Sequence, residues 1–397
     1  MMSDGSKMLK LITNGEVYSP EPLGKKDVLI AADKIGSIQD RISLGKGVEV
    51  ERIDAEGKTL VPGFIDSHVH ILGGGGEGSY KTRTPEIILS DITTGGVTTI
   101  IGCLGTDGVT RTMSNLIAKA RGLEEEGITC FIYTGSYQVP VRTVTGSILD
   151  DIVLIDKIIG VGEVAISDHR SSQPTVEDIA KIAAAARVGG ILSGKAGVVN
   201  IHMGDGDRKL SFLEEIVETT EIPITQFIPT HVARNPDLFE SAMEYAKKGG
   251  LIDLTTSLTR EFLDKKRVTS SELLKTIMKN GIPVENVTFS SDGQGSLPLF
   301  DEKGEFIGLG VGKVSSLFEA FRNSVRKENI PVETALKVIT SNPARNLKLH
   351  NKGRIDIGKD ADLVLLDRDL EIDTVIARGQ IMVENREIRV KGTFEKV

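Results

Sequence analysis

Four of the six histidines in this 397-residue chain occupy positions suited to binding a metal ion. His68 and His70 are separated by one residue after an apolar run. Because side chains alternate along an extended segment, both imidazoles point the same way. His202 and His231 each end or follow a further β-like run, and Asp292 ends another. A lone histidine is ordinarily a hydrogen-bonded core or surface residue. Four histidines and an aspartate at strand ends predict a metal site instead.

The two remaining histidines do not fit this pattern. His169 follows a strand in Ser167–Arg170, and we interpret it as a residue that supports the site or the fold. His350 lies beyond the last strand of the repeating region, and we expect it at the surface.

A repeat of strand, loop and helix between residues 62 and 345 would position these side chains. Eight such units predict an α/β fold of the (β/α)8 TIM-barrel type, in which the chemistry lies at the C-terminal ends of the strands. A doubly wound open sheet is the alternative, but it would not place polar ligands at the ends of so many strands. The predicted strands are Phe64–Asp66, Thr98–Ile101, Cys130–Tyr133, Gly162–Ala165, Val198–Ile201, Ile224–Phe227, Leu251–Leu254 and Val287–Ser290.

Start and stop signals predict two of the intervening helices. One runs over Asn115–Glu126, with Ser114 as its N-cap and Gly127 just beyond its end. The other runs over Ser271–Asn280.

Both chain ends show β-hairpin patterns, with turns predicted at Asn14-Gly15, Asp33-Lys34 and Arg378-Gly379. Neither end has enough strands for a sheet of its own. We therefore expect residues 1–61 and 346–397 to pair as one small β-sandwich domain, beside a barrel domain at 62–345.

Composition excludes several classes of protein. The formal charge of −8 argues against a nucleic-acid partner. Met1–Lys10 has no apolar segment typical of a signal peptide, and no apolar run is long enough to cross a membrane. Cys103 and Cys130 are too few for a disulfide framework, so we expect buried free thiols and a cytoplasmic location.

Two segments resemble the beginning and the end of the barrel in the amidohydrolase superfamily. These are Leu60–His70 at the beginning, and Asn342–Arg345 with Gly353–Leu363 at the end. Six narrower motifs are similar to the β-aspartyl (isoaspartyl) dipeptidases within that superfamily. They are Gly73–Gly78, Gly105–Asp107, Thr134–Tyr137, Ala165–Arg170, Ile201–Gly204 and His231–Asn235. Hydantoinases and dihydroorotases share the metal ligands but not this whole set.

The resemblance implies two divalent metal ions, with zinc expected. His68 and His70 would bind one ion together with Asp292, and His202 and His231 would bind the other. Many members of the superfamily bridge the two ions with a carboxylated lysine on the fourth strand. The matching position here is Glu163, whose carboxylate also supplies two anionic oxygens.

Two lysines are near Glu163 in the sequence, but neither suits the bridge. Lys157 and Lys195 precede strands four and five, so they would lie at the other end of the barrel. The alternative is that Glu163 is a salt-bridged interior residue and the site binds a single metal ion.

The expected reaction is hydrolysis of an amide by a metal-activated hydroxide, with Asp292 transferring the proton to the leaving amine. By resemblance, Glu77 would bind the free amine of a β-aspartyl dipeptide, and Tyr137 would hold the carbonyl oxygen in the transition state. The residues expected to bind the carboxylates are Arg170, Arg234 and Ser296, with further contacts from Gly75 and Thr106. Taken singly, such arginines commonly form solvated surface ion pairs.

Two other functions compete with this one. A cyclic-amide hydrolase of the dihydroorotase or hydantoinase type, or an N-acyl amino-acid deacylase, would use the same metal site without recognising a free amine. A non-catalytic scaffold would ordinarily have lost metal ligands, and here the only departure is the exchange of lysine for Glu163. The family resemblance also suggests a homo-oligomer, with an octamer as one form.

Overall fold

The computed structural model describes residues 8–257, 268–300 and 306–396. Most of the Met1–Lys10 segment, where we expect no signal peptide, therefore lies outside the described residues. The strands come in four groups along the chain. The first group is β1 (Leu9–Tyr18), β2 (Pro22–Ala31), β3 (Lys34–Gln39), β4 (Glu51–Asp54) and β5 (Thr59–Pro62). The second is β6 (Phe64–Val69), β7 (Val97–Gly102), β8 (Thr129–Thr134), β9 (Ile158–Ile166), β10 (Val198–Met203), β11 (Phe227–Thr230), β12 (Ile252–Thr255) and β13 (Val287–Ser290). The last two are the hairpin β14 (Ser296–Phe300) with β15 (Phe306–Val311), and β16 (Leu363–Leu366), β17 (Ile372–Ala377), β18 (Gln380–Glu384) and β19 (Glu387–Ile388).

Helices separate the strands of the second group and continue beyond them. They are α1 (Leu89–Thr93), α2 (Met113–Glu125), α3 (Ile148–Leu154), α4 (Val176–Ser193), α5 (Ser211–Thr219), α6 (Pro236–Lys247), α7 (Ser270–Lys279), α8 (Ser315–Arg326), α9 (Val332–Lys337) and α10 (Ser341–Asn346). Three short 3-10 helices cover Tyr80–Thr82, Ile224–Gln226 and Val284–Asn286. No helix in the described part of the chain is both long and apolar enough to span a bilayer.

The eight strands β6 to β13 form the predicted parallel barrel. Strands β6 to β11 are hydrogen-bonded in chain order, and β12 pairs with β13. The ring closes because β11 packs beside β12 and β13 packs beside β6. At this closure Val69 pairs with Gly293, and the His70 N–H donates to the Gly293 carbonyl at 2.9 Å. The site residues on β6 and after β13 therefore lie next to each other.

Local signals misplaced two features of the barrel. The segment Ile224–Gln226 is a 3-10 turn in which the Gln226 N–H donates to the Pro223 carbonyl, so the sixth strand begins only at Phe227. Helix α2 is capped by Thr112 and not by Ser114. The Thr112 hydroxyl accepts the Asn115 N–H at 3.3 Å, because the helix starts two residues earlier than predicted, at Met113.

The two chain ends pair with each other, as predicted. Strand β5 runs antiparallel to β16, with Thr59 opposite Leu366 and Pro62 opposite Leu363. The nine strands form one hydrogen-bonded sheet in the order β19-β18-β17-β16-β5-β1-β2-β3, with β4 beside β1. The domain boundaries at residues 61/62 and 345/346 stay a prediction.

The turn predicted at Asn14-Gly15 is wrong, because β1 continues through both residues. Asn14 has a φ of 64° and lies at an irregularity of the β1–β2 ladder between Ile12 and Gly15. Asparagine tolerates the left-handed conformation in a bulge as readily as in a turn, so the dipeptide alone does not separate the two. The predicted turn at Arg378-Gly379 is confirmed.

Candidate active site

Five of the six predicted metal ligands lie at the C-terminal ends of the barrel strands, and the sixth is inside β9. His68 is near the end of β6 and His70 follows it, while His202 is on β10 and His231 comes directly after β11. Glu163 is the member within β9, and Asp292 follows β13 by two residues. The four imidazoles and the Glu163 carboxylate are almost completely excluded from solvent.

Glu163 lies between the two histidine pairs. Its Oε1 is 3.4 Å from His70 Nε2, and its Oε2 is 3.4 Å from His68 Nε2. The same Oε2 is 3.0 Å from His202 Nδ1 and 3.6 Å from His231 Nε2. One carboxylate on β9 therefore contacts four histidines from three other barrel strands, β6, β10 and β11.

Asp292 contacts one of these pairs. Its Oδ1 is 3.0 Å from His70 Nε2 and 3.8 Å from His68 Nε2. Three overlapping groups of side chains could each hold a metal ion, because the ligand atoms within each group all lie within 4.8 Å of one another. Two of these groups consist of predicted ligands only. They are His68 with His231 and Asp292, and Glu163 with His202 and His231.

The unpaired atoms of this cluster fit a bound cation. Within the described residues, His68 Nε2, Glu163 Oε1 and Asp292 Oδ1 are buried but have no hydrogen-bond partner. Buried polar atoms are rarely left without partners, so three converging ones are best explained by an ion that they bind. Imidazole nitrogens and carboxylate oxygens are donors that suit zinc and similar divalent ions.

The electrostatics of the cluster also suit a cation. Burial opposes the charge on Glu163, but His68 and His202 outweigh that effect and hold the pKa of this carboxyl well below its usual range. Burial lowers the pKa of His231 to about 3, although a hydrogen bond to Glu163 acts in the opposite direction. At neutral pH Glu163 is therefore a buried anion and His231 a neutral imidazole with a lone pair to donate. Burial opposes the charge on His68 and His70, but Cys103 and the neighbouring carboxylates outweigh it and raise the pKa of both.

Three further side chains orient the ligands, and the sequence did not single them out for this role. Asn200 Oδ1 is 3.1 Å from His68 Nδ1, and Thr255 Oγ1 is 2.6 Å from His231 Nδ1. Cys103, a buried free thiol as predicted, has its Sγ 3.8 Å from His70 Nδ1 and belongs to the third group of possible ligand atoms. The available signal was position: Cys103 and Thr255 lie at the C-terminal ends of β7 and β12, and Asn200 lies two residues before His202 on β10.

All seven predicted substrate-binding residues line one cavity of about 410 Å³ above the ligand cluster. They are Gly75, Glu77, Thr106, Tyr137, Arg170, Arg234 and Ser296. The same cavity is lined by His70, His202, His231 and Asp292, so it opens directly onto the ligands. An apolar contact is available from Leu297, which is nearly buried.

The charged groups of this cavity contact one another. The Thr106 hydroxyl donates to Glu77 Oε1 at 2.8 Å, and Arg170 Nη1 lies 3.3 Å from the same oxygen. Arg234 Nη2 is 3.0 Å from His202 Nε2. Tyr137 is almost fully buried, and its hydroxyl lies 2.8 Å from His202 Nδ1, next to the ligand cluster.

Asp168 is a further acid in the site, to which the sequence analysis assigned no role. Its carboxylate accepts two hydrogen bonds from the Arg170 guanidinium, from Nε at 3.0 Å and from Nη2 at 2.7 Å. Its Oδ2 is also 3.1 Å from His202 Nε2. Burial raises the pKa of Asp168, but the hydrogen bonds with His202 and Arg170 outweigh burial and lower it well below the usual range.

The remaining residues with predicted positions are away from the ligands. Lys157 pairs with Glu124 at 2.5 Å, and Lys195 donates to the backbone carbonyls of Ile152 and Ile155 in and just after α3, so neither contacts the cluster. The His169 side chain is 91% exposed, with Nδ1 3.7 Å from Asp168. His350 is exposed, as predicted.

The chain is similar to a known protein family and to several solved structures. The model of the amidohydrolase family matches residues 59–382. A β-aspartyl dipeptidase from Fervidobacterium islandicum AW-1, solved in complex with the β-Asp-Leu dipeptide, is 50% identical with a TM-score of 0.91. That match covers 99% of this chain and 100% of the other. A D-hydantoinase from a Thermus species has a TM-score of 0.69 at 17% identity over 98% of both chains, which is a likeness of fold alone.

Comparison with curated proteins gives a shorter match. A dihydroorotase from Staphylococcus aureus (strain Mu50 / ATCC 700699) is 40% identical over 92 residues, which are 23% of this chain. The match spans only 20% of the dihydroorotase, so it carries no information on the rest of that protein.

Proposed function

Because this chain belongs to the amidohydrolase family, we propose that it hydrolyses the isopeptide bond of β-aspartyl dipeptides. The observation that carries the proposal is that one acid, Glu77, and two arginines, Arg170 and Arg234, line the same cavity above the ligand cluster. The substrate has a free α-amine and two carboxylates around a single amide, and these charges complement the cavity. The similar F. islandicum enzyme, which is solved with β-Asp-Leu, supports the same substrate class.

The residues that would hold the metal are the six side chains of the ligand cluster. His68, His70 and Asp292 would hold one ion and His202 with His231 the other, with Glu163 between the two. We propose two zinc ions, since nitrogen and carboxylate donors suit zinc. When bound, divalent metal ions lower the pKa of a coordinated water, so that hydroxide is available at neutral pH, and they polarise the substrate carbonyl.

The cavity residues would bind the substrate by its charges. Glu77 binds the α-ammonium group, and the guanidinium groups of Arg170 and Arg234 bind the carboxylates. Ser296 adds a hydrogen bond to a carboxylate. The Tyr137 hydroxyl donates to the carbonyl oxygen as negative charge develops on it in the transition state.

Asp292 would move the proton. Its Oδ1 lies among the ligands and has no other hydrogen-bond partner in the described residues, so it is free to accept a proton from the attacking water. It then returns this proton to the leaving nitrogen as the C–N bond breaks. The products are aspartate and a free amino acid.

The competing cyclic-amide and deacylase functions lack a specific observation in their favour. They leave Glu77 without a role in binding, whereas here its carboxylate lies at the wall of the cavity and contacts Arg170. A cytoplasmic location and a homo-oligomeric assembly stay predictions.

The test is hydrolysis of β-Asp-Leu against α-Asp-Leu, with dihydroorotate and a hydantoin as controls. We expect turnover of the β-linked isomer only. In that isomer the amine and the free carboxylate of the aspartyl group are on the same carbon, one methylene away from the amide carbonyl. In the α-linked isomer the amine is on the carbon next to the amide carbonyl and the carboxylate is on the side chain, so the charges no longer match the cavity. Equal turnover of both isomers, or faster turnover of a cyclic amide, would refute the proposal.

A further inference from the structure

The two ring nitrogens of His202 have chemically different surroundings. On one side, Nδ1 lies 3.0 Å from Glu163 Oε2, so it faces the ligand cluster. The neutral Tyr137 hydroxyl contacts both nitrogens, at 2.8 Å from Nδ1 and 3.1 Å from Nε2. On the other side, Nε2 is close to three charged groups. They are Asp168 Oδ2 at 3.1 Å, Arg170 Nη2 at 3.2 Å and Arg234 Nη2 at 3.0 Å.

The groups around His202 favour different tautomers of its neutral ring: Asp168 favours a proton on Nε2, whereas Glu163 and the two arginines favour a proton on Nδ1. If Nε2 carries the proton, its only acceptor among these three groups is Asp168, because a guanidinium has no lone pair to offer. Nδ1 then keeps its lone pair for a cation. If Nδ1 carries the proton instead, it donates to Glu163 and Nε2 accepts from the arginines, and no lone pair faces the cluster. The charge of Asp168 therefore bears directly on which tautomer forms.

We propose that Asp168 is a positioning residue that selects the metal-binding tautomer of His202 and, with the same carboxylate, orients Arg170 for the substrate. The second half rests on the function proposed above; the first half concerns metal binding alone. Metal-ligating histidines commonly donate their second N–H to a carboxylate or another acceptor, and loss of that acceptor weakens metal binding. His68 and His231 have neutral acceptors, in Asn200 and Thr255.

The geometry of Asp168 fits this double role. The side chain is only 3% exposed, so its position does not depend on solvent. It follows β9 by two residues, and its Oδ1 accepts the backbone N–H of Arg170 at 2.8 Å in addition to the guanidinium. The two-point pairing through Nε and Nη2 leaves Nη1 of Arg170 directed towards Glu77, at 3.3 Å from its Oε1. A change at Asp168 should therefore disturb a metal ligand and a substrate contact together.

The test compares Asp168→Asn with Arg170→Gln and Asp150→Asn. Asp150 is an exposed acid on α3 and is not among the residues that line the cavity, so its variant controls for loss of one negative charge. Zinc affinity is measured by competition with a chromophoric chelator, and KM and kcat with β-Asp-Leu. We expect Asp168→Asn to lower zinc affinity about 10- to 100-fold and to raise KM. We expect Arg170→Gln to raise KM without lowering zinc affinity, because its guanidinium donates towards His202 Nε2 and does not support the metal-binding tautomer. We expect Asp150→Asn to change neither quantity.

The tautomer is observed directly by ¹⁵N–¹H NMR of histidine-labelled protein, which has only six histidines to resolve. Wild-type protein should show His202 protonated at Nε2, and Asp168→Asn should shift population to the Nδ1-protonated form. Asp168→Glu should recover part of the zinc affinity, and melting temperatures identify any variant that is merely misfolded. Unchanged zinc affinity in a folded Asp168→Asn, or wild-type His202 protonated at Nδ1, would overturn the proposal. If no β-aspartyl dipeptide is cleaved by wild-type protein, the proposed function fails, while the zinc and NMR results still decide the tautomer.

Discussion

Replacing Glu77 by Gln should weaken recognition of the substrate amine and leave the loop that carries it in place. The variant removes one negative charge and keeps the shape of the side chain. A glutamine Oε1 can still accept the Thr106 hydroxyl, which donates to Glu77 Oε1 at 2.8 Å. The loop that carries Glu77 should therefore keep its position.

The magnitude follows from the exposure of the group. A hydrogen bond to a charged group contributes roughly 1.5–3 kcal/mol, and the Glu77 side chain is 32% exposed, so solvent screening favours the low end. A loss of about 1.4 kcal/mol corresponds to a tenfold change. We therefore expect kcat/KM for β-Asp-Leu to fall about tenfold from this contact alone.

The assay separates this contact from indirect effects. Arg170 Nη1 also lies 3.3 Å from Glu77 Oε1, so the variant could change carboxylate binding as well. N-succinyl-leucine lacks the amine of β-Asp-Leu and keeps both carboxylates and the amide. The ratio of kcat/KM for the two compounds cancels the carboxylate effect, and this ratio should fall about tenfold in Glu77→Gln. Glu218→Gln, an exposed acid on α5, is the matched control and should leave the ratio unchanged.

Two results would refute the reasoning. If Glu77→Gln reduced kcat/KM for both compounds by the same factor, Glu77 would act through Arg170 and not on the amine. If neither compound were affected, the cavity would not recognise an amine at this position, and the deacylase function would become the better explanation.

The other predictions concern the reaction and the metal ions. Asp292→Asn should lower kcat about 10²–10⁴-fold while retaining most of the zinc; more than a tenth of the wild-type kcat at full metal content would contradict its role in proton transfer. Tyr137→Phe should lower kcat about 10²–10³-fold with little change in KM, and a change in KM alone would assign it to ground-state binding. Apo-protein should recover full activity with zinc in carbon-dioxide-free buffer, since a Glu163 bridge needs no carboxylation; reactivation that requires bicarbonate would point to a lysine instead. Glu163→Gln should hold less zinc per chain than wild type, measured by metal analysis after gel filtration, and two ions bound at wild-type affinity would leave Glu163 without the bridging role.

Much of the fold could be predicted because its signals are local. Alternation along an extended segment was enough to place His68 and His70 on the same side of a strand. The repeat of strand and helix was enough to predict eight barrel strands, and the barrel rule then put the ligands at one end. The errors were local as well. The Asn14-Gly15 dipeptide forms a bulge in β1 and not a turn, and the apolar pattern at Ile224 belongs to a 3-10 turn before the strand.

The sequence by itself determined which residues could bind a metal ion and on which strands they lie, since residue type and periodicity are properties of short segments. Only the tertiary structure decided which atoms meet. Asn200 Oδ1 accepts from His68 Nδ1 across 132 residues of chain, and Asp168 contacts both His202 and Arg170. Such contacts depend on the closure and twist of the barrel and on side-chain rotamers, which are set by packing between distant strands and leave no periodic pattern in the sequence.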